Sequence, residues 1–126
     1  MALIEQIERT RVAWVDTDAG GLIHFTAVFR WVEAAETALM RRLDLLEGWG
    51  NYPRRHVEAD YLNVLVFEDE VELRLRVDTV GRTSITYAWD ITKAGDVYVQ
   101  GRHTVVHVDE EGRASALPDV VRAALT

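Results

Sequence analysis

The sequence of 126 residues contains no cysteine. Disulfides, cysteine-based zinc sites and a thiol nucleophile are therefore excluded. Serine is nearly as scarce, since Ser84 and Ser115 are the only two, and no Gly-x-Ser-x-Gly motif surrounds either, so a serine hydrolase is not expected. The Gly-x4-Gly-Lys motif of a phosphate-binding loop and the His-Glu-x2-His motif of a zinc hydrolase are also missing. The side chains that could do chemistry are therefore mainly carboxylates and histidines.

No stretch of the sequence is apolar over the length that a membrane helix requires. Residues 1–10 include Glu5 and Glu8 without an apolar run, which argues against a signal peptide. The formal net charge is −7. Since general nucleic-acid binding needs a basic face, nucleic acid is not an expected partner. We expect a cytoplasmic protein without a membrane partner.

The apolar pattern predicts a single domain over residues 1–126, with 48% hydrophobic residues to form a core. Residues 28–43 carry apolar side chains at helical spacing beside a narrow polar stripe, which predicts a largely buried helix with Thr26 as its capping residue. Alternating or apolar runs predict five strands, at 3–15, 56–66, 70–78, 85–91 and 97–108. The apolar residues near the end of the sequence predict a short helix at 118–125. This order is typical of an α+β fold in which one helix covers an antiparallel sheet.

Two carboxylates, Asp16 and Asp18, and the pair Gly20-Gly21 lie just ahead of the long helix. The free N–H groups at a helix start, together with the helix dipole, favour negative charge. Asp18 is either a turn-capping residue, which is common for aspartate near glycine, or a catalytic carboxylate. His24 is the rival base, because histidine ordinarily titrates near neutral pH, or else a residue that fixes the loop.

No metal site is expected. His103 and His107 stand four residues apart on a predicted strand, hence about 13 Å apart, which is too far to share a metal ion. The run that begins Asp16-x-Asp18 resembles the start of a calcium loop, but Ala27 stands where such a loop needs glutamate.

A family resemblance is carried by Asp16-Thr17-Asp18-Ala19-Gly20-Gly21-Leu22-Ile23-His24-Phe25 and by the following Phe29-Arg30-Trp31-Val32-Glu33-Ala34-Ala35-Glu36. These stretches closely resemble the signature of hotdog-fold acyl-CoA thioesterases, the enzymes similar to 4-hydroxybenzoyl-CoA thioesterase. Weaker similarity continues through Tyr61-Leu62, residues 67–71 and residues 81–84. The resemblance implies a hotdog fold, in which an antiparallel sheet wraps around one long central helix.

The resemblance also implies roles for particular residues. Asp18 matches the catalytic carboxylate, and the backbone N–H of Phe25 matches the oxyanion donor seven residues later. Gly20 and Gly21 would let a thioester approach the backbone. Some relatives have an aromatic residue followed by histidine where this chain has His24-Phe25, so the role of their histidine does not transfer directly. The stretch Arg82-Thr83-Ser84 matches a region near the pantetheine and nucleotide end of the ligand, where Arg82 could contact a phosphate.

The expected activity is hydrolysis of an acyl-CoA, or a related acyl thioester, to the free acid and the thiol. Asp18 would attack the thioester carbon or activate a water, and the sequence leaves both routes open. No cofactor is implied apart from the coenzyme A of the substrate. The alternatives are a thioesterase that acts on an acyl-carrier protein and a non-catalytic acyl-CoA-binding domain. The unprotected edge of the strand at 56–66 predicts a homodimer with clefts between subunits, and the family often extends this to a homotetramer.

Overall fold

The computed structural model describes residues 4–126. Five strands and two α-helices follow one another along the chain as β1 (Glu5–Arg11), α1 (Ala27–Arg42), β2 (Arg54–Tyr61), β3 (Glu70–Val80), β4 (Ser84–Lys93), β5 (Asp96–Val106) and α2 (Asp119–Leu125). A single turn of 3₁₀ helix at Trp14–Asp16 lies between β1 and α1. The strands form one antiparallel sheet in the order β1-β3-β4-β5-β2. The predicted α+β architecture is confirmed.

The core lies between α1 and one face of this sheet. Apolar side chains recur on α1 at Val28, Val32, Ala35 and Leu39, and all four are buried. They belong to one cluster with alternate residues of the three long strands, which include Leu73, Leu75, Tyr87, Trp89, Ile91 and Val99. Neither described helix is long and apolar enough to cross a membrane.

Gly101 on β5 is required by the packing of Trp89 on the neighbouring strand β4. A Cβ at position 101 would collide with the Trp89 ring and with the backbone carbonyl of Glu58 on β2. Gly101 therefore lies directly against the buried indole and the Glu58 carbonyl, with no room for a side chain.

The first predicted strand ends earlier than the sequence indicated. Its predicted start at Leu3 lies outside the described residues, and β1 ends at Arg11 instead of residue 15. Trp14 and Val15 belong to the 3₁₀ turn and are both 81% exposed. The reason is Asp16, whose carboxylate accepts the N–H of Ala13 over 2.9 Å and folds the chain back.

The predicted strand at 56–66 is also shifted, because β2 runs from Arg54 to Tyr61. Beyond Tyr61, the N–H groups of Leu62 and Asn63 both donate to the carbonyl of Tyr98, over 2.9 and 3.1 Å. Two successive donors on one acceptor break the regular ladder, so the chain leaves the sheet there. The following residues, 62–67, instead run beside the loop that precedes α1.

Candidate active site

Asp16 holds the two ends of the loop between β1 and α1. Its side chain is buried; Oδ1 accepts from Arg30 over 2.8 Å and Oδ2 accepts from the Ala13 N–H. Its carbonyl accepts the N–H of His24 over 2.7 Å. Asp16 therefore orients the loop, and both of its carboxylate oxygens are engaged.

Asp18 lies at the tip of the same loop and is exposed. The Asp18 N–H donates to the Leu22 carbonyl over 2.7 Å, and the Gly21 N–H donates to the Asp18 carbonyl over 3.1 Å. Its Oδ1 accepts from the N–H groups of Gly20 and Leu22, at 2.8 and 3.2 Å. Within residues 4–126, Oδ2 has no hydrogen-bond partner. Asp18 thus caps the turn with one oxygen and presents the other to solvent.

Glycine is favoured at positions 20 and 21 for two different structural reasons. At Gly20, an added Cβ would lie 3.3 Å from Oδ1 of Asp18, so a side chain there would push against the carboxylate. At Gly21, the surrounding space is open, but φ is +84°, a left-handed conformation that favours glycine. Gly20 therefore sets the position of the carboxylate, whereas Gly21 permits the turn.

His24 and Thr26 interact with each other just ahead of α1. The Thr26 side chain makes no capping hydrogen bond to the helix backbone. Instead, the Thr26 N–H donates to Nδ1 of His24 over 3.2 Å, and the Thr26 hydroxyl lies 2.7 Å from the same nitrogen. An Nδ1 that accepts these bonds places the proton of the neutral ring on Nε2. The prediction of a hydroxyl cap was wrong, because the Thr26 hydroxyl contacts Nδ1 of His24 instead of an N–H in the first turn of α1.

Phe25 leaves its backbone N–H unengaged just before α1. Its ring is 64% exposed and stacks on the His24 ring with 4.7 Å between centroids. Its carbonyl accepts from the hydroxyl of Tyr61, whose pKa is raised by burial, so Tyr61 stays a donor at neutral pH. In the described part of the chain, the Phe25 N–H donates to no acceptor. The His24 carbonyl, which belongs to the same peptide as this N–H, accepts from the Ala27 N–H over 2.9 Å. The peptide is therefore held with its N–H free, which is the arrangement that an oxyanion site requires.

The segment after β2 forms one wall of this loop. The Ile23 N–H donates to the Leu65 carbonyl over 3.1 Å, and Leu22 forms a β-bridge with Val66. Large apolar side chains are exposed on both of these segments, namely Trp14, Val15, Leu22, Phe25, Leu62, Val64, Val66 and Phe67. We call these eight residues the loop patch. An apolar patch of this kind indicates a surface that contacts a ligand or another protein.

The predicted ligand-contact residues Arg82, Thr83 and Ser84 lie elsewhere in the chain. They form the turn between β3 and β4, whereas the Asp18 loop follows β1, which pairs with the opposite end of β3. Since β3 has 11 residues, roughly 35 Å separates its two ends. The turn is braced by the region around α2: the Leu117 N–H donates to the Arg82 carbonyl and the His107 N–H donates to the Thr83 carbonyl. One copy of the chain therefore does not bring these residues to Asp18.

A buried ionic cluster was missed by the sequence analysis. Glu36 on α1 is 1% exposed, and its Oε1 accepts from Arg54 over 2.7 Å and pairs with Nε2 of His103. His103 is itself buried and stacks on Tyr87. The sequence did contain a signal for the burial of Glu36, because position 36 lies four residues after Val32 and three before Leu39, on the buried face of the helix.

Within residues 4–126, no group of three or more His, Asp or Glu side chains is arranged to hold a metal ion.

Comparison with known proteins identifies the family. A model of the thioesterase-like superfamily matches residues 12–125, which include the loop, α1 and all of the strands after it. The chain belongs to this superfamily. The resemblance to hotdog-fold thioesterases drawn from the Asp16–Phe25 motif is thereby confirmed, and so is the hotdog fold class.

Relatives within the superfamily are named as thioesterases. The chain is 29% identical to a 1,4-dihydroxy-2-naphthoyl-CoA hydrolase of Synechococcus sp. (strain RCC307), with 85% of this chain and 90% of that protein covered. Among solved structures, a thioesterase of Thermus thermophilus complexed with coenzyme A and Zn superposes with a TM-score of 0.85 at 26% identity, covering 95% of this chain and 90% of that one. A predicted thioesterase from Bacillus stearothermophilus gives the same TM-score and identity, with 96% and 93% covered. The predicted enzyme class, an acyl-CoA thioesterase, is therefore confirmed by these relatives.

Proposed function

We propose that this protein hydrolyses an acyl-CoA thioester to a free carboxylic acid and coenzyme A. In this proposal the Asp18 carboxylate is the catalytic base or nucleophile, and the Phe25 N–H stabilises the oxyanion. The observation that carries it is the pairing of a carboxylate oxygen without a partner with a peptide N–H without an acceptor, both on one described loop at the start of α1. The N-terminal end of α1 adds its dipole to the same place.

In the water route, Oδ2 of Asp18 accepts a proton from a water whose oxygen bonds to the thioester carbon. The carbonyl electrons move onto its oxygen, and the Phe25 N–H donates to the resulting oxyanion. When the carbonyl re-forms, the carbon–sulfur bond breaks, and the proton passes from Asp18 to the thiolate. In the nucleophile route, Oδ2 itself bonds to the carbon, the thiolate leaves, and water then hydrolyses the mixed anhydride.

The loop is built to keep this geometry while substrate binds. The Ala27 N–H holds the His24 carbonyl, so the Phe25 N–H in the same peptide cannot turn freely, and Tyr61 fixes the next carbonyl along the chain. Two backbone N–H groups fix Oδ1 of Asp18, which leaves only Oδ2 for the reaction. Such pre-positioning lowers the barrier because little rearrangement accompanies the formation of charge.

A coenzyme A thioester is favoured over a carrier-protein thioester by one comparison. The Thermus thermophilus relative, whose fold matches along nearly the whole chain, is a complex with coenzyme A. Coenzyme A is anionic, whereas this chain is acidic overall, so its phosphates need a local cluster of basic groups.

We further propose that a second copy of the chain supplies that cluster. Strand β2 is an edge of the sheet, and its residues are exposed along almost the whole strand. If two copies pair antiparallel through β2, the start of one β2 lies beside the end of the other. Arg54, Arg55 and His56 of one copy would then approach the loop patch and Tyr61 of the other. The Arg82 turn lies at the same end of the sheet as Arg54, because Ser84 pairs with Val106 and Arg54 pairs with Val105.

The decisive experiment compares Asp18→Asn with the unaltered protein on a panel of acyl-CoAs, with free thiol release as the readout. The substitution removes the charge but can still accept the Gly20 N–H, so the fold and substrate affinity should be kept. We expect kcat to fall by about a hundredfold or more, with KM within about threefold. Asp18→Asn protein that turns over at nearly the normal rate would exclude the carboxylate mechanism.

A further inference from the structure

A cavity of about 390 Å³ lies at the other end of α1 from the Asp18 loop. Its walls come from the C-terminal half of α1, the loop after it, β4, β5 and α2. None of residues 16–25 lines it. Glu36, the lining residue closest to the start of α1, is nine residues beyond Ala27, roughly 13 Å along the helix axis. The cavity is therefore separate from the proposed catalytic loop.

Most of the cavity wall is apolar, with Met40, Leu45, Trp49, Ile85, Val105 and Val121 among the lining side chains. A space of this volume and character is in the range of small-molecule sites, and it has room for a ring with a short substituent. Such a wall alone would accept many apolar compounds, so the polar groups inside it decide the class of ligand.

Tyr87 supplies a hydrogen-bond donor without a partner. The residue is 2% exposed, lines the cavity, and makes no side-chain hydrogen bond within the described residues. Burial, and then the nearby Glu36 carboxylate, raise the pKa of Tyr87, so its hydroxyl keeps its proton. The Tyr87 oxygen is not among the fully buried side-chain atoms that lack a partner, so it is accessible from the cavity. Its hydroxyl is therefore free to donate to a ligand that accepts a hydrogen bond.

Glu36 and His107 supply acceptors in the same space. Both residues line the cavity. Oε1 of Glu36 is occupied by Arg54 and His103, and Oε2 has no partner in the part of the chain that the structure describes. Nδ1 of His107 lies 3.3 Å from the carbonyl oxygen of Ser115, which can only accept, so Nδ1 carries the proton and Nε2 is an acceptor. The lining residues thus favour a ligand with a group that both accepts and donates a hydrogen bond.

Charge excludes the ionic ligands. The other charged lining residues, Asp44 and Glu47, are acidic, and the described lining includes no lysine or arginine, so a carboxylate or phosphate would be repelled. Asp44 and Glu47 are exposed and therefore solvated, and Glu36, the buried carboxylate of the lining, is already paired with Arg54. A cation inside the cavity would thus gain no free buried countercharge to offset its desolvation. An uncharged hydroxyl on an aromatic ring accepts from Tyr87, donates to an acceptor, and packs its ring on the apolar wall. We propose that this cavity is a binding site for a small uncharged phenol.

The test is calorimetric titration of the whole protein with four compounds of the same shape: 4-ethylphenol, ethylbenzene, 4-ethylbenzoate and 4-ethylbenzylamine. We expect 4-ethylphenol to bind once per chain, about tenfold more tightly than ethylbenzene, because it satisfies the paired hydrogen bonds. The benzoate and the benzylamine should show no binding at the same concentrations. Equal or tighter binding of either ion, or no binding of the phenol at millimolar concentration, would overturn the proposal.

Variants separate a role in binding from a role in folding. Tyr87→Phe removes only the hydroxyl, so it should weaken 4-ethylphenol binding by about fivefold and leave ethylbenzene unchanged. Tyr98→Phe, a matched change outside the cavity, should bind both compounds like the unaltered protein. Asp18→Asn should also bind 4-ethylphenol normally, whatever its effect on hydrolysis. Equal weakening of both compounds by Tyr87→Phe, or loss of phenol binding in Asp18→Asn, would show that the assigned site is wrong.

Discussion

Arg54, the first residue of the edge strand β2, donates to the buried Oε1 of Glu36 in the middle of α1 over 2.7 Å. This contact joins the edge strand farthest from β1 to the central helix. The Glu36 side chain is only 2% exposed, whereas 31% of the Arg54 side chain reaches solvent. The carboxylate therefore depends on Arg54 and His103 for compensation of its charge.

Arg54→Ala should destabilise the fold, because it leaves a buried carboxylate with one partner. We expect the free energy of unfolding to fall by about 2 kcal/mol, less than for a fully buried pair because Arg54 is partly solvated. Equilibrium unfolding in urea measures this free energy for the variant and for the unaltered protein. The control is Arg74→Ala on β3, an exposed arginine without an ion pair in the described residues, which should change stability by less than about 0.5 kcal/mol. Equal effects of the two changes would contradict a structural role for the Glu36 pair.

Gly20→Ala should slow catalysis without unfolding the protein. The new Cβ would lie 3.3 Å from Oδ1 of Asp18, so the carboxylate must shift. We expect kcat to fall by about tenfold or more while KM changes little, since small displacements of a reacting group are costly. Gly50→Ala is the control, because nothing lies within 4 Å of a Cβ at that position. A normal kcat in Gly20→Ala would show that the position of Oδ1 is unimportant.

His24→Ala should affect the start of α1 more than the chemistry. Without the imidazole, the Thr26 N–H loses its acceptor, and we expect a loss of about 1 kcal/mol of stability. His24→Asn should restore much of it, since an asparagine side chain is a good acceptor at a helix start. Both variants should keep a substantial kcat. If both fold stably but lack activity, His24 is the better base.

A mixed dimer can test whether each site is shared between two copies. Asp18→Asn and Arg82→Ala chains are prepared separately and then mixed under conditions that allow exchange. If one copy provides Asp18 and the other provides Arg82, a mixed dimer has one site with both defects and one with neither. Activity at low substrate concentration should therefore rise above that of either parent, towards a quarter of normal in an equal mixture, since about half of the dimers are mixed.

No rise on mixing would contradict the shared site. Sedimentation of the unaltered protein provides an independent check, because the proposal requires that no fully active 14.3 kDa species persists at micromolar concentration. The kinetic defects of the two parents follow from their roles: Arg82→Ala should raise KM, since phosphate contacts act far from the reacting carbon, whereas Asp18→Asn should lower kcat.

Much of the fold was predictable because its signals are local. The apolar spacing of residues 28–43 gave α1 to within a residue or two, and strict alternation located β3 and β4. The end of β1 was missed because an interaction of the Asp16 side chain with the Ala13 N–H, which no periodicity encodes, starts a turn. Thr26 was misjudged for a similar reason, since its hydroxyl contacts Nδ1 of His24 instead of an N–H of the helix.

The candidate site was predictable only in part. The motif located Asp18, both glycines and the Phe25 N–H on one loop, whereas the contact with residues 61–66 depends on tertiary structure. Glu36 was overlooked because charged residues are usually exposed, and its partners, Arg54 and His103, are 18 and 67 residues away in the sequence.

The loop that carries Asp18 is closed by hydrogen bonds between residues at most eight positions apart, from Asp16–His24 to Asp18–Leu22. Its links to residues 61–66 are few, namely the Ile23–Leu65 hydrogen bond, the Leu22–Val66 bridge and the Tyr61 hydroxyl on Phe25. When the protein fluctuates, the loop can therefore separate from that wall as an intact hairpin. Amide hydrogen exchange at Ile23 would then be faster than at Asp18 or His24, and an opening that admits substrate would leave the carboxylate aligned with its own turn.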